Sequence, residues 1–332
     1  MPRHTVREVL AEELPEHPAV KAWGRLWPEV SVLRRAEILR GFRKKARKRT
    51  ICRLEGAGPA GSAVIAKRCP TARALVERTF YEEILPRLPV PTLRYYGFAE
   101  EADSGFCWLF LEEASGELYS PLLEEHRVLA ARWLGLLHTA AACLTPARPL
   151  PDRGSAHYLG HLRSARAAIL RHLASSGLPD GDMRVLRSIV SRCDVLESRW
   201  IQVEKLCDGM PRTFVHGDFK VKNLRVRTTQ AGTALLAFDW ETAGWGVPAA
   251  DLGSSSNPDL TTYQSVVGDH WPGLDVQALQ RLVQVGKVFR NLAAVDWAAE
   301  GLPDDPMEEA MTKLRIYESR QADLMGVVRW GD

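Results

Sequence analysis

The residues best suited to chemistry in this chain lie in one short run, His216-Gly217-Asp218-Phe219-Lys220-Val221-Lys222-Asn223. A carboxylate and a carboxamide five positions apart on one loop match two tasks of phosphoryl transfer. Asp218 can accept the proton of an attacking hydroxyl and align its oxygen, while Asn223 can turn an amide oxygen toward a divalent cation. Twenty-one positions after Asp218, the apolar run Leu235-Leu236-Ala237-Phe238 delivers a second carboxylate, Asp239, followed by Trp240 and Glu241. Between them, Asn223 to Val226 and Ala234 to Phe238 flank a turn-rich Thr-Thr-Gln-Ala-Gly segment. That pattern predicts a hairpin, which lets the chain bring both carboxylates to one mouth.

The spacing is that of the protein-kinase catalytic loop, His-x-Asp followed five residues later by Asn, with a strand directly after it. Asp239 resembles the metal-binding Asp of the kinase Asp-Phe-Gly motif, written here Asp-Trp-Glu. Upstream, Val64-Ile65-Ala66-Lys67 is an apolar run ending in the kind of lysine that pairs nucleotide phosphates. Ten positions later Glu77 falls in a helical stretch, Ala72 to Leu85, where it can hold that ammonium by an ion pair. Taken singly, these are a turn Asp, a strand-end cap and a solvated edge lysine. Their order along the chain favours the chemical reading: Lys, helical Glu, apolar hinge, His-x-Asp, Asn, Asp.

A literal G-x-G-x-x-G, Gly56-Ala57-Gly58-Pro59-Ala60-Gly61, is declined as a phosphate loop. No helix follows it and Lys67 comes only six positions later, so the glycines are expected to close a hairpin between two strands. The basic stretch from Gly41 to Arg49 is left with two readings, a solvated loop or a loop whose amides and cations meet polyphosphate.

Short β-type runs are expected to carry the first group of residues: Arg49 to Leu54, Ala63 to Lys67 and Cys107 to Leu111. Beyond residue 114 helical periodicities dominate: Leu122 to Ala142, Tyr158 to Ser175, Arg184 to Leu206, Val276 to Ala299 and Met307 to Val328, interrupted by the β-rich island Thr213 to Trp240. The reading is an α+β chain with a small β-rich lobe, residues 1–113 including an N-terminal helical extension, before a larger helical lobe, residues 114–332. At 332 residues, 45% hydrophobic and 26% charged, the composition is globular and excludes collagen-like, disulfide-scaffold and wholly disordered chains. The net charge of +3 is too small to argue for nucleic acid, and six scattered cysteines form no CxxC pair. The acidic N-terminal segment is not a secretory signal and no apolar run is long enough for a membrane span, so a cytoplasmic location is expected.

With these residues in place, the chain resembles the aminoglycoside phosphotransferase and choline kinase superfamily of small-molecule kinases. The resemblance runs from about Arg49 to Leu252 and is densest in Val215-His216-Gly217-Asp218-Phe219 and Phe238-Asp239-Trp240-Glu241-Thr242-Ala243-Gly244, continuing to Asp251-Leu252. It implies a bilobal protein-kinase-like fold using ATP and Mg2+. It also implies Asp218 as catalytic base, Asn223 and Asp239 as metal ligands, and Lys67 as the phosphate-binding lysine with Glu77 as its partner. His216 would brace the loop and Asp251 would tie it down. The hinge-like Leu109-Phe110-Leu111-Glu112-Glu113-Ala114 implies adenine contacts at the Glu112 carbonyl and the Ala114 amide. The family often has His-Pro-Gly between its Asp and Asn, where this chain has Lys220-Val221-Lys222. Lys220, two positions after Asp218, can neutralise charge on the transferring phosphoryl group, which weakens a polycationic acceptor. Lys222 is expected to face solvent.

The resemblance places acceptor selectivity in the helical region beyond Asp239, which offers Trp245, Asp269, His270, Trp271, Asp296, Trp297 and the acidic Asp304, Asp305, Glu308 and Glu309. An aromatic and carboxylate pocket suits an organic cation. Leu302 to Glu309, however, has the Asp, Pro and acidic first turn of an ordinary helix start, and Trp297 falls in an apolar helical pattern expected to be core. Trp245, Asp269 and Trp271 are therefore the acceptor candidates. The leading reading is a kinase acting on a hydroxyl of a small molecule, antibiotic or natural-product-like. A choline- or amino-alcohol-type metabolite kinase and a regulatory pseudokinase are the alternatives. No nucleic acid, membrane or obligate protein partner is expected. The absence of an Ala-Pro-Glu activation segment disfavours a protein substrate.

Overall fold

A computed structural model of the chain describes residues 8–10, 16–28, 35–41, 50–175, 177–208, 210–230, 232–303 and 307–327. Among these the strands are β1 (Glu8–Leu10), β2 (Arg35–Gly41), β3 (Thr50–Glu55), β4 (Val64–Pro70), β5 (Tyr95–Glu101), β6 (Phe106–Glu112), β7 (Glu117–Leu118), β8 (Asp152–Arg153), β9 (Thr213–Val215), β10 (Leu224–Thr229), β11 (Gly232–Ala237) and β12 (Gly244–Gly246). The α-helices are α1 (Pro18–Leu26), α2 (Thr71–Thr79), α3 (Glu124–Ala140), α4 (Ser155–Ser175), α5 (Asp180–Ser198), α6 (Trp200–Cys207), α7 (Ala249–Leu252), α8 (Leu260–Val267), α9 (Val276–Ala299) and α10 (Met307–Val327). They fall into two compact units. One takes the described residues up to Ser120 together with Leu144–Leu150 and Val221–Thr242, and the other takes Pro121–Cys143, Pro151–Lys220 and the chain from Ala243 onward.

In the first unit six strands form an antiparallel sheet in the order β1-β2-β3-β4-β6-β5. Alternation does the work: β3 buries Cys52 and Leu54, and β4 buries Val64 and Ala66. Trp23 of α1 joins this core, with its ring 5.2 Å from Phe110. The literal glycine motif closes the β3–β4 hairpin, where Gly58 N–H donates to the Ser62 carbonyl at 2.8 Å and a 3-10 turn covers Pro59–Gly61. Gly41 to Arg49 falls almost wholly outside the described residues. The stretch read as one helix over Ala72 to Leu85 is α2 followed by a π-turn, Phe80–Ile84, and a short 3-10 turn at Leu85-Pro86-Arg87. Proline ends the helix there because it lacks the N–H donor and crowds the preceding turn. A smaller sheet in the order β11-β10-β7 contains the hairpin expected after Asn223, with Leu224 opposite Ala237 and Thr229 opposite Gly232. Its turn is tighter than read, because the threonines of the turn-rich segment belong to β10.

The second unit is helical around a three-stranded sheet, β8-β12-β9. α3 packs on α8 at Gly135, where an added Cβ would come within 2.5 Å of Val266. Helices α8 and α9 start on Asp259 and Asp275, whose side chains accept the N–H groups of Thr262 at 2.8 Å and Ala278 at 2.6 Å. The periodicity over Arg184 to Leu206 is divided between α5 and α6 at Arg199, whose backbone leaves the helix at φ −107°, ψ 13°. Asp304 and Asp305 lie outside the described residues. The backbones at Gly253, just after α7, and Gly286 on α9 approach so closely that a Cβ on Gly253 would lie 2.6 Å from Gly286 Cα. This crossing sets where α7 and α9 stand around the loop His216–Lys220.

Candidate active site

Lys67 lies in the middle of β4, which continues to Pro70 rather than ending at the lysine as read, and it faces three carboxylates of the first unit. Lys67 Nζ meets Glu77 of α2 at 2.7 Å, makes a short contact with Asp239, and stands 3.8 Å from Glu241. Glu77 is fully buried and its Oε1 has no hydrogen-bond partner. Burial opposes the charge on Lys67, yet Asp239, Glu77 and Glu241 outweigh it and hold the ammonium protonated well above the usual lysine range. Burial pushes Glu77 the other way, up to about 6, against the pull of Lys67. Asp239 sits just beyond β11 with φ at +72°, a left-handed conformation that costs a non-glycine residue free energy and persists only where neighbours enforce it. Enforcement comes from Trp240, fully buried and stacked on Phe80 at 4.6 Å, and from the Phe238 N–H donating to the Asn223 carbonyl at 3.1 Å.

Lys67, Glu77 and Asp239 line a cavity of about 250 Å³ whose apolar walls include Ile51, Ile65, Leu93, Leu111 and Phe238. Glu112, Glu113 and Ala114 line it too, as do Asn223 and the exposed Lys222. The Glu112 side chain is engaged, accepting from Arg227 at 2.8 Å and from the Arg94 amide at 3.0 Å, so the hinge segment is tied on both sides. An apolar slot with a charged end suits a base and a polyphosphate. Its surplus of carboxylates suits a divalent cation. Mg2+ is commonly held by one or two side chains plus phosphate and water. Asn223 and Asp239 are the residues that would hold it.

The second unit positions Asp218. The buried Asp251 of α7 accepts the main-chain N–H groups of His216 at 2.7 Å and Gly217 at 2.8 Å, and meets His138 at 3.3 Å. Despite complete burial, bonds to His138 and His216 hold the Asp251 carboxyl below the usual aspartate range. His216 Nδ1 accepts the Asp218 N–H at 3.3 Å, which is the bracing expected of it. Lys220 Nζ stands 2.8 Å from Asp218 Oδ1. Arg290 of α9, which the sequence reading passed over, reaches the same oxygen at 2.6 Å. Its signal was available: an arginine inside the apolar run Val288-Phe289-Arg290-Asn291-Leu292 must find an anion if that face is buried. Trp297 corrects an expectation. It is half-buried rather than core, and its ring centre lies 5.5 Å from Lys220 Nζ and 5.6 Å from the Arg290 guanidinium carbon.

The acceptor candidates occupy separate elements of the second unit. Trp245 is the middle residue of β12, half-buried, edge-on to Phe214 at 5.3 Å, with its N–H donating to the Pro151 carbonyl at 2.9 Å. Asp269 is exposed on the turn after α8, and Trp271 is half-buried with its N–H bonded to the Val267 carbonyl at 2.9 Å.

Comparison with known proteins gives this geometry a context. The kanamycin and GDP complex of APH(2")-IIia aligns over 91% of this chain and 98% of its own with a TM-score of 0.59 at 13% identity. A spectinomycin phosphotransferase bound to ADP and spectinomycin aligns over 89% and 94% with a TM-score of 0.57 at 9% identity. Choline kinase from Cryptosporidium parvum aligns over 84% and 87% with a TM-score of 0.55 at 12% identity. These likenesses show a shared kinase-like fold. No curated protein sequence matches the chain. Among the described residues no helix is long and apolar enough to cross a membrane. The model of the phosphotransferase enzyme family, APH, matches residues 39–282, most of the length, and the chain belongs to that family.

Proposed function

We propose that the protein transfers the γ-phosphoryl group of ATP, with Mg2+, to a hydroxyl of a small antibiotic or natural-product-like molecule. The observation that carries this reading is Lys67, held between Glu77 and Asp239 in a cavity with apolar walls at Ile51, Ile65, Leu93, Leu111 and Phe238. Bound Mg2+ supplies neutralisation of the phosphate oxygens. Lys67 binds the non-transferring phosphates once it shares its charge with them, and Glu77 keeps it in place. The Glu112 carbonyl and Ala114 amide hold the base, and Asn223 and Asp239 hold the metal. Asp218 accepts the acceptor's hydroxyl proton and Lys220 counters charge on the transferring group. Trp245, with Asp269 and Trp271, contacts the acceptor.

The test is a contrast between two carboxylates. Asp218→Asn is expected to lower turnover by about 10²–10⁴-fold while leaving magnesium-ATP affinity nearly unchanged. Asp239→Ala is expected to abolish or strongly weaken magnesium-ATP binding in a calorimetric titration. Equal effects of the two substitutions on nucleotide binding would remove the division of roles.

A further inference from the structure

Asp218 is gripped from outside its own loop. Arg290 approaches from α9, donating from Nη2 to Asp218 Oδ1 at 2.6 Å and from Nη1 to the Gly217 carbonyl. Arg290 is 8% exposed and Asp218 6%, a degree of burial at which a guanidinium is kept only against an anion. Lys220 meets the same carboxylate oxygen. The Trp297 ring, two turns along α9 from Arg290, lies within reach of both cations and favours their direction. Asp251 of α7 holds the main-chain amides of the two preceding residues. Three consecutive loop residues are thus tied to two helices whose backbones cross at Gly253 and Gly286.

We propose, resting on the kinase reading above, that Arg290 is a positioning residue for phosphoryl transfer: its fork holds the Asp218 carboxylate ionised and in one orientation for the acceptor hydroxyl. The guanidinium fits this task better than an ammonium because one planar group bonds the carboxylate and the neighbouring carbonyl together. Among the described residues, the charged and titratable groups around Asp218 include Lys220 and His216 on its own loop, Arg290 on α9, Asp251 on α7 and Tyr158 on α4. Burial raises the Tyr158 hydroxyl, with opposing contributions from Arg290 and Asp251 and a smaller one from Asp218. Lys220 retains a positive charge at Oδ1 when Arg290 is removed. The loss therefore falls mainly on orientation and partly on charge.

The test reads the clamp and the catalysis separately in the full chain. Carboxyl 13C NMR of aspartate-labelled protein, with the Asp218 signal assigned by its loss in Asp218→Asn, follows the titration of the clamp. Arg290→Gln is expected to move the Asp218 midpoint up by about one pH unit, and Arg290→Lys to move it much less. Hydrolysis of magnesium-ATP to water, which needs no acceptor, follows catalysis. Arg290→Gln is expected to lower its kcat by roughly 10-fold or more with the nucleotide KM within about twofold. Arg290→Lys, which keeps the charge but not the fork, is expected to give an intermediate kcat, and it carries the test if Arg290→Gln does not fold. An unmoved Asp218 midpoint in folded Arg290→Gln, or a parent-like kcat in Arg290→Lys, overturns the proposal. Failure of the kinase reading has a different signature: Asp218→Asn itself then hydrolyses magnesium-ATP at the parent rate, whatever the titration shows.

Discussion

In the first unit one ammonium, Lys67, is surrounded by Glu77, Asp239 and Glu241; in the second unit one carboxylate, Asp218, is surrounded by Lys220 and Arg290. Each central group meets more than one side chain of opposite charge, and Glu241 also meets Arg73 at 3.6 Å. Lys67, Glu77 and Asp239 line a cavity of about 250 Å³. Asp218 is held instead by Arg290 of α9, with Asp251 of α7 on the two preceding main-chain amides. The difference teaches that the same salt-bridge chemistry serves two purposes. One cluster borders a cavity, while the other is tied to the two helices α7 and α9.

The sharpest way to break this contrast is through backbone packing. Gly286→Ala would drive a Cβ into the Ala249 carbonyl and separate α7 from α9, so its cost is expected to exceed ~3 kcal/mol. Thermal unfolding with and without nucleotide should then show the protein destabilised. If Gly286→Ala folds with parent stability and parent turnover, the crossing of α7 and α9 does not support the Asp218 loop.

Lys67→Met tests the other cluster. Removing the ammonium leaves Glu77 buried without its partner, a loss expected to cost about 3–5 kcal/mol near pH 8. The pH dependence has a definite sign. The folded-state value of Glu77, about 6, lies above its ordinary 4.5, so its protonation contributes stability below pH 4.5 that is lost as pH rises through 6. Without Lys67 the carboxyl rises further, so denaturant unfolding should show the variant regaining stability relative to the parent from pH 8 to pH 5. A pH-independent difference would mean that Glu77 does not titrate with folding.

Asp251→Asn should cost about 2–3 kcal/mol at pH 7, because an amide cannot accept from both main-chain N–H groups as the carboxylate does. Here the sign is opposite. The folded Asp251 titrates below its ordinary 3.8, so its contribution is present above 3.8 and lost as pH falls through the lower folded value. The parent should therefore lose stability in acid more steeply than the variant, as read by unfolding between pH 5 and pH 2. The smallest effect is expected at Gly58→Ala, whose Cβ would meet the flexible Ser62 hydroxyl and stand 3.2 Å from Val64 Cγ2. A stability loss of about 1 kcal/mol with an unchanged nucleotide constant would keep that turn structural. A changed constant with unchanged stability would restore it as a phosphate loop.

The elements were legible wherever periodicity met a clear stop. Val276 to Ala299 reads as a helix and is one, and the hairpin after Asn223 follows from two apolar runs around a turn-rich segment. Arg184 to Leu206 shows the limit: apolar spacing continues through Arg199, while the backbone break there depends on how α5 and α6 pack. The candidate site divides in the same way. Lys67, Glu77, Asp218, Asn223 and Asp239 are visible because short-range chemistry dictates their spacing: a strand lysine, a helix after it, a loop of fixed length and a hairpin.

What the sequence determined by itself was the set of candidate side chains and most of the local elements under them, since both depend on residues a few positions apart. Arg290, Trp297 and the Gly253–Gly286 crossing were decided only by tertiary structure. An arginine seventy-two residues from Asp218 has no local signature of its partner, and a tryptophan in an apolar helical pattern reads as core until the helix is rotated against its neighbours. The physical reason is that burial and ion pairing act through space at a few ångströms, whereas sequence periodicity records only which face of an element is apolar and never what that face will meet.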